Sequence, residues 1–243
     1  MIDPATTITR PFGLSTPVDG AIRIVASTFG AVLALAGIEH GIGEILQGPV
    51  AAASPLIESW PNAEAFEILA GEPAMTLVPN LLVSGILTVI VSAAVAVWAV
   101  GFVHRRHGGL VLIGLSLLLL AVGGGFGPPL LGIVIGIGAT RIGAPSSARP
   151  GPVGRALSRA WPWILAVGVL AYLGLFPGLV LLSLVTEVPE GAVYGLAGVA
   201  FGSAIASLVA GLAADRETAH AGRRGEESQV PDMPAREVHE GGR

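Results

Sequence analysis

Long apolar stretches dominate the pattern of hydrophobic and polar positions along this chain, and short polar connections separate them. Four of these stretches cover residues 21–47, 77–103, 161–186 and 191–214. A helix needs about 20 apolar residues to cross a hydrocarbon core of roughly 30 Å. The pattern therefore predicts an all-α polytopic membrane protein, with a transmembrane helical domain over residues 21–214.

A fifth apolar stretch, residues 109–140, is interrupted near its middle by glycine and proline. The interruption consists of Gly123, Gly124, Gly125, Phe126, Gly127, Pro128 and Pro129. We expect two helices here, over about 110–122 and 128–140, joined as a hairpin and each roughly 20 Å long. A hairpin that crosses the membrane gives six passes in all, whereas a re-entrant hairpin gives four.

The placement of arginine predicts the orientation. All 13 basic residues are arginines, and the loop 48–76 contains none of them. Because cytoplasmic loops are enriched in Lys and Arg, we expect the N-terminal segment 1–20 and a disordered tail, 215–243, to be cytoplasmic. All arginines then lie on one side if the stretch 109–140 enters and leaves from the cytoplasm. These features predict a multi-pass protein of the plasma (inner) membrane without a cleavable signal peptide.

The outer loop carries its own short pattern. After Trp60, the residues Ala65, Phe66 and Leu69 fall on one side of a helix, opposite two glutamates. This spacing predicts an amphipathic helix over 60–70 that lies on the outer membrane surface, with Trp60 at the level of the lipid headgroups.

The amino-acid composition excludes several classes of protein and of functional site. The chain is 52% hydrophobic and 12% charged, and it has no cysteine. A soluble domain carries about 25% charged residues, so this is not an ordinary soluble protein. The absence of cysteine excludes disulfides, thiolate metal sites and a cysteine nucleophile. The net charge of −4 gives no indication of nucleic-acid binding, and we expect the lipid bilayer as the main partner.

Three ionisable residues stand inside the first span. His40 and Glu44 are one turn apart and share a face, whereas Glu39 points to nearly the opposite side. A charged acid costs about 2.5–3.5 kcal/mol at the centre of a membrane helix, so such groups are functional candidates by default. Glu39, His40 and Glu44 are therefore the candidates for handling a proton or a cation.

Three interpretations of this group remain open. His40 and Glu44 can form a hydrogen-bonded packing pair, can handle a proton or cation, or can supply two ligands to a divalent metal. A metal needs further ligands, either an outer-loop glutamate or a second copy of the span. Those glutamates are Glu64, Glu67 and Glu72. The small residues Gly30, Gly37 and Gly41 form a smooth face that predicts close contact with a homo-oligomer or another membrane partner.

The glycine-proline interruption is the second candidate site. Broken membrane helices expose helix termini and carbonyl groups, which transporters use to bind ions. The alternative is that glycine and proline are simply frequent in membrane helices. The candidate binding residues are Gly123, Gly124, Gly125, Gly127, Pro128 and Pro129.

These features favour a membrane protein that transports or senses a proton or small cation through the Glu/His centre, and a function other than catalysis. An intramembrane metal-dependent enzyme and a non-catalytic assembly or accessory protein are the alternatives. A divalent metal is the one cofactor that the residues suggest.

Overall fold

The computed structural model describes residues 20–144 and 151–229 of the chain, and the protein is mostly helical, at 73%. In chain order the elements are α1 (Ala21–Gln47), β1 (Leu56–Glu58), α2 (Glu64–Glu67), β2 (Pro73–Met75), α3 (Leu81–Gly101), α4 (Gly108–Ala121), α5 (Gly127–Ala139), α6 (Pro152–Leu173), a π-helix (Gly174–Gly178), α7 (Leu179–Ser183) and α8 (Glu190–Gln229).

Within the described residues, four helices are long and apolar enough to span a membrane, which confirms the helical prediction and is compatible with a membrane location. They cover Ala21–Gln47, Leu81–Gly101, Pro152–Ser183 and Gly191–Gly222. The third begins nine residues before the predicted start at 161. Arg155 and Arg159, which precede the predicted span, are therefore already part of the helix.

The helix α1 packs along α3 through small side chains. Gly30 lies against Ala99, Gly37 against Ser92, and Gly41 against Gly85, in each case with no room for a Cβ. The glycine face that we predicted for a second copy is therefore filled by α3 of the same chain. Small residues allow this close approach of two backbones.

The predicted hairpin is present as α4 and α5, of 14 and 13 residues. The two helices approach closely where Gly109 meets Gly136 and where Gly132 meets Ser116. The connection over residues 122–126 contains two glycines with positive φ, Gly123 at 114° and Gly125 at 74°. Glycine adopts such angles without steric cost, which explains why the chain reverses here.

The last helix is longer than predicted. α8 runs to Gln229, so residues 215–229 are helical and not a disordered tail, and residues 230–243 lie outside the described part. One reason is visible at Asp215, whose carboxylate accepts from the backbone N–H groups of Ala21 at 2.6 Å and Ile22 at 3.3 Å. These donors lie in the first turn of α1, where a carboxylate is favourable. The predicted segment 1–20 lies outside the described residues except for Gly20.

The outer loop also differs from the prediction. The helix expected over 60–70 is the four-residue α2, and the antiparallel pair β1–β2 frames it, with Ile57 opposite Ala74. Asn62 and Ala70 have φ of 59° and 51°, which a right-handed helix does not allow. Trp60 stacks on Phe66, with ring centroids 4.4 Å apart, so this ring packs within the loop.

Candidate functional site

Three ionisable side chains converge where the outer loop folds back onto α1. Glu39 and His40 come from α1, and Glu72 comes from the turn before β2. One ligand atom from each residue lies within 4.8 Å of the others. We call these three residues the Glu/His group.

The β-hairpin brings Glu72 to this place. The backbone N–H of Ser59 donates to the carbonyl of Glu72 at 3.1 Å, and that of Trp60 donates to Gly71 at 2.9 Å. These bonds extend the β1–β2 ladder towards α2. Glu72 itself has a φ of 53°, a left-handed conformation that costs an L-residue about 1–2 kcal/mol. Strain of this kind is found where the surrounding structure holds a side chain in one position.

The imidazole of His40 is fixed from two sides. Its Nδ1 lies 2.9 Å from the Ser59 hydroxyl, in a buried hydrogen bond. Its Nε2 lies 3.5 Å from a carboxylate oxygen of Glu72. When Nδ1 carries the proton and donates to Ser59, Nε2 presents its lone pair towards the carboxyl groups. A metal-binding histidine is oriented in the same way, by a hydrogen bond on its other nitrogen.

Within the described part of the chain, the carboxyl groups of Glu39 and Glu72 are buried without donors, or basic side chains other than His40, that would offset the cost of burial. Both carboxyl oxygens of Glu39 and of Glu72 are shielded from solvent and have no hydrogen-bond partner of good geometry among the described residues, and the two carboxyl groups lie close enough to share a proton. The chain has no arginine or lysine between Arg23 and Arg105, so α1 beyond Arg23, the outer loop and α3 supply no basic side chain except His40. Burial, together with the neighbouring Glu39 carboxyl, raises the pKa of Glu72 to about 10. The site therefore requires protons or a bound cation to offset its negative charge.

A cavity of about 430 Å³ adjoins the Glu/His group. His40 and Glu72 form one wall, and the start of α5, at Gly127 and Pro128, forms another. The remaining wall is mostly apolar and comes from the outer loop, the π-helix and α8. It includes Ile68, Leu69, Leu175, Phe176, Val193 and Ala197. Of the residues that the structure describes, His40 is the one basic side chain that lines this cavity.

The connection between α4 and α5 covers the same site. A Cβ on Gly125 would overlap Nε2 of His40, and a Cβ on Gly123 would overlap the carboxylate of Glu44. The two features that the sequence singled out separately, the Glu/His residues and the glycine-proline interruption, therefore form one region. The other residues of the interruption have packing contacts, since Gly124 lies against Leu119 and Gly127 faces Phe201.

The structure changes the predicted grouping of the residues. Glu39 does not stand apart from His40, because both side chains reach Glu72. Glu44, which we expected as the partner of His40, is not a member of the Glu/His group and lies instead beside Ser84 and Gly123. Of the three outer-loop glutamates considered as metal ligands, Glu64 and Glu67 are exposed and Glu72 is buried.

Three contributors were not predicted from the sequence. Ser59 belongs to the outer loop, where it is fully buried and lies within hydrogen-bond distance of His40. Ser84 and Thr88 lie in an apolar span and looked like ordinary packing residues, yet both hydroxyls bond the carbonyl of Val122 under the glycine loop. Their separation of four residues, which places both on one helix face, is the signal that points to a shared role.

Comparison of the chain with protein-family models, with curated protein sequences and with solved structures finds no match. The function must therefore be inferred from the geometry of the site.

Proposed function

We propose that this chain is a membrane transporter of a divalent metal cation, which it binds at Glu39, His40 and Glu72. The observation that supports the proposal is the convergence of these three ligand atoms within 4.8 Å of one another. They come from a buried imidazole and two buried carboxyl groups whose oxygens have no other partner.

The donor set suits zinc or a similar ion. Zn²⁺ binds imidazole nitrogen at about 2.0–2.1 Å and carboxylate oxygen at about 2.0–2.2 Å. Imidazole suits Zn, Cu, Fe and Ni, whereas carboxylates alone favour Mg, Ca and Mn. Ligand atoms at these distances around a tetrahedral ion are about 3.3–3.6 Å apart. The three atoms, which lie within 4.8 Å of one another, must therefore approach by up to about 1.5 Å to surround one ion. A proton on Nδ1 of His40, donated to the Ser59 hydroxyl 2.9 Å away, gives the tautomer that such an ion needs.

Transport is favoured over static binding by the surroundings of the group. The ligands lie between an adjoining cavity and a break in a helical hairpin, an arrangement that ion transporters use. Three protein ligands leave at least one coordination position for water, so the ion need not be held irreversibly.

The orientation belongs to the same proposal. We place the outer loop outside the cell and the arginine-rich connections in the cytoplasm, with six membrane passes, the plasma membrane as location and both termini inside. The arginine distribution supports this orientation. In intact cells a membrane-impermeant maleimide should label Asn62→Cys and not Arg106→Cys, since the chain has no cysteine of its own. Labelling of both, or of Arg106→Cys alone, contradicts the orientation.

The test of transport uses purified protein in liposomes that contain a zinc-sensitive dye. Addition of external Zn²⁺ should produce a protein-dependent signal in the wild type, and Glu72→Gln should reduce it to the rate of empty liposomes. Glu64→Gln is the matched control, because this glutamate is in the same loop but exposed. Zinc binding without any flux would favour a sensor, and the absence of both removes the proposal.

An enzyme is the second candidate, and the cavity of about 430 Å³ beside the group favours it. Ligand pockets of about 300–1,000 Å³ accommodate organic molecules, which an ion does not require. Catalytic zinc sites combine three protein ligands with an open position. In Co²⁺-loaded protein, a change of the visible spectrum on addition of azide would demonstrate an open position and favour the enzyme. A spectrum that azide leaves unchanged, together with zinc flux, excludes it.

A further inference from the structure

A second polar cluster lies one helical turn beyond His40, on the side of α1 that faces α3 and the glycine loop. We infer that Glu44, Ser84 and Thr88 form a binding site for a sodium ion under this loop. The inference does not depend on the metal proposed at the Glu/His group, because the two sites share no side chain.

The carboxylate of Glu44 is the first observation. Glu44 is 0% exposed, and neither of its oxygens has a hydrogen-bond partner. It lies beside Ser84 and against Gly123, where a Cβ would overlap it. A buried charge without a partner is strongly unfavourable, so this carboxylate needs either its own proton or a bound cation.

The hydroxyl groups around it are the second observation. Ser84 and Thr88 each donate to the carbonyl oxygen of Val122 at 2.6 Å. The hydroxyl of Thr76 lies 2.7 Å from that of Ser84 and accepts from the N–H of Val78 at 3.1 Å. Since Ser84 donates its one proton to Val122, Thr76 is the donor to Ser84.

The donor and acceptor roles in this network determine which atoms are available to Glu44. With their protons directed to Val122, the Ser84 and Thr88 hydroxyls keep lone pairs that a cation can use. In that arrangement the Glu44 carboxylate has no donor in the described part of the chain, whereas a Ser84 proton turned towards Glu44 is the competing arrangement. A set of acceptor oxygens around one carboxylate is the environment of a hard cation.

The charge and the ligand type favour a monovalent ion. One carboxylate neutralises Na⁺, whereas a divalent ion would leave an uncompensated positive charge in an apolar region. The cluster contains no nitrogen or sulfur ligand that would select a transition metal. Transporters with discontinuous helices coordinate Na⁺ at the C-terminal ends of half-helices and at unwound backbone carbonyls, and Val122 is at the C-terminal end of α4.

Sodium at this position would also secure the glycine loop. Val122 belongs to the network through its carbonyl, Gly123 contacts Glu44, and Gly125 contacts His40. An ion that joins Glu44 to the Ser84–Thr88 pair therefore stabilises the same loop that covers the Glu/His group.

Thermal unfolding of the purified protein, after chelation of divalent metals, tests the inference. The midpoint should rise with the logarithm of the NaCl concentration once Na⁺ exceeds its Kd, by about 5–10 °C when Na⁺ is 100-fold above that Kd. Choline chloride at equal ionic strength should leave it unchanged. Glu44→Gln and the nearly isosteric Thr88→Val should both abolish the sodium effect. Glu72→Gln and Thr140→Val, which removes an exposed hydroxyl, should retain it.

Direct binding keeps the inference testable if the Glu44 variant does not fold. Wild-type protein should bind one ²²Na⁺ per chain in a saturable manner, and Zn²⁺ chelation should not affect this. Thr88→Val should weaken the binding at least 10-fold. Equal midpoints in sodium and choline, or no saturable ²²Na⁺ binding, would mean that Glu44 carries a proton and would overturn the inference. Loss of zinc binding with saturable ²²Na⁺ binding retained would support the inference, because the two sites share no side chain.

Discussion

Gly125 lies directly against the imidazole of His40, so closely that a Cβ at this position would overlap Nε2. Its φ of 74° is also one that L-residues rarely adopt. We expect Gly125→Ala to displace either the loop or the imidazole. Zinc affinity should fall at least 10-fold, and the free energy of unfolding should fall by about 1–2 kcal/mol from the backbone conformation alone. Equilibrium dialysis with Zn²⁺ and thermal unfolding measure the two effects.

The control for this substitution is Gly114→Ala. Gly114 is in the middle of α4 and has nothing within 4 Å of an added Cβ. Alanine at such a helical position is neutral or stabilises by about 0.5–1 kcal/mol. Equal behaviour of the two variants would show that the contact between Gly125 and His40 has no consequence.

Ser59→Ala tests how His40 is oriented. The hydroxyl is 2.9 Å from Nδ1, and loss of such a partner typically costs 10–100-fold in metal affinity. We expect a reduction of this size in a zinc titration, with the fold intact. Ser54→Ala, an exposed serine in the same loop that bonds only the carbonyl of Leu56, should bind zinc as the wild type does. Unchanged affinity in Ser59→Ala would exclude a positioning role.

The stability of the metal-free protein should depend on pH through Glu72. Burial and the nearby Glu39 raise its pKa from an ordinary value of 4.5 to about 10. The folded state therefore holds its proton more tightly than the unfolded state. This contribution is complete below about pH 4.5 and is lost as the pH rises towards 10. In a chelator, the unfolding midpoint should fall from pH 5 to pH 9.

The affinity for zinc should rise with pH, whereas the stability of the metal-free protein should fall. The metal must displace the protons of its ligands, so its apparent affinity should rise with pH. Glu72→Gln should flatten the pH dependence of stability in the chelator, because glutamine does not titrate. A wild-type midpoint that is flat or rises from pH 5 to pH 9 would contradict the assignment.

Asp215→Ala tests the contact between the two ends of the described chain. The Asp215 carboxylate accepts from the backbone of Ala21 and Ile22, which are otherwise free donors at the start of α1. Loss of a capping side chain costs about 0.5–2 kcal/mol. We expect a lower unfolding midpoint without any change in zinc stoichiometry. Asp215→Asn, which keeps an acceptor oxygen, should recover part of the loss.

Much of the fold follows from local pattern. The long apolar stretches predicted the spanning helices because an apolar helix in lipid satisfies its own backbone. The run from Gly123 to Pro129 predicted the break between α4 and α5 because glycine and proline end helices. The prediction of a disordered tail was wrong for residues 215–229, which are helical. The bond from Asp215 to α1 is a contact over 194 residues that no local pattern records.

The site was only partly predictable for the same reason. Glu39, His40 and Glu44 were recognisable as ionisable groups in an apolar span. Which of them act together depends on Glu72, and the left-handed turn that directs Glu72 inwards has only Gly71 as a sequence signal. The periodicity of α1 grouped His40 with Glu44, whereas the β-hairpin groups His40 with Glu39.

Zinc stoichiometry is the most direct test of the Glu/His group as a metal site. Purified protein, dialysed against buffered Zn²⁺ and measured by elemental analysis, should contain one zinc per chain. Glu72→Gln should contain none under the same conditions, and Glu64→Gln should match the wild type. A wild-type protein without stoichiometric zinc, or a Glu72→Gln variant that retains it in full, would contradict the proposed site.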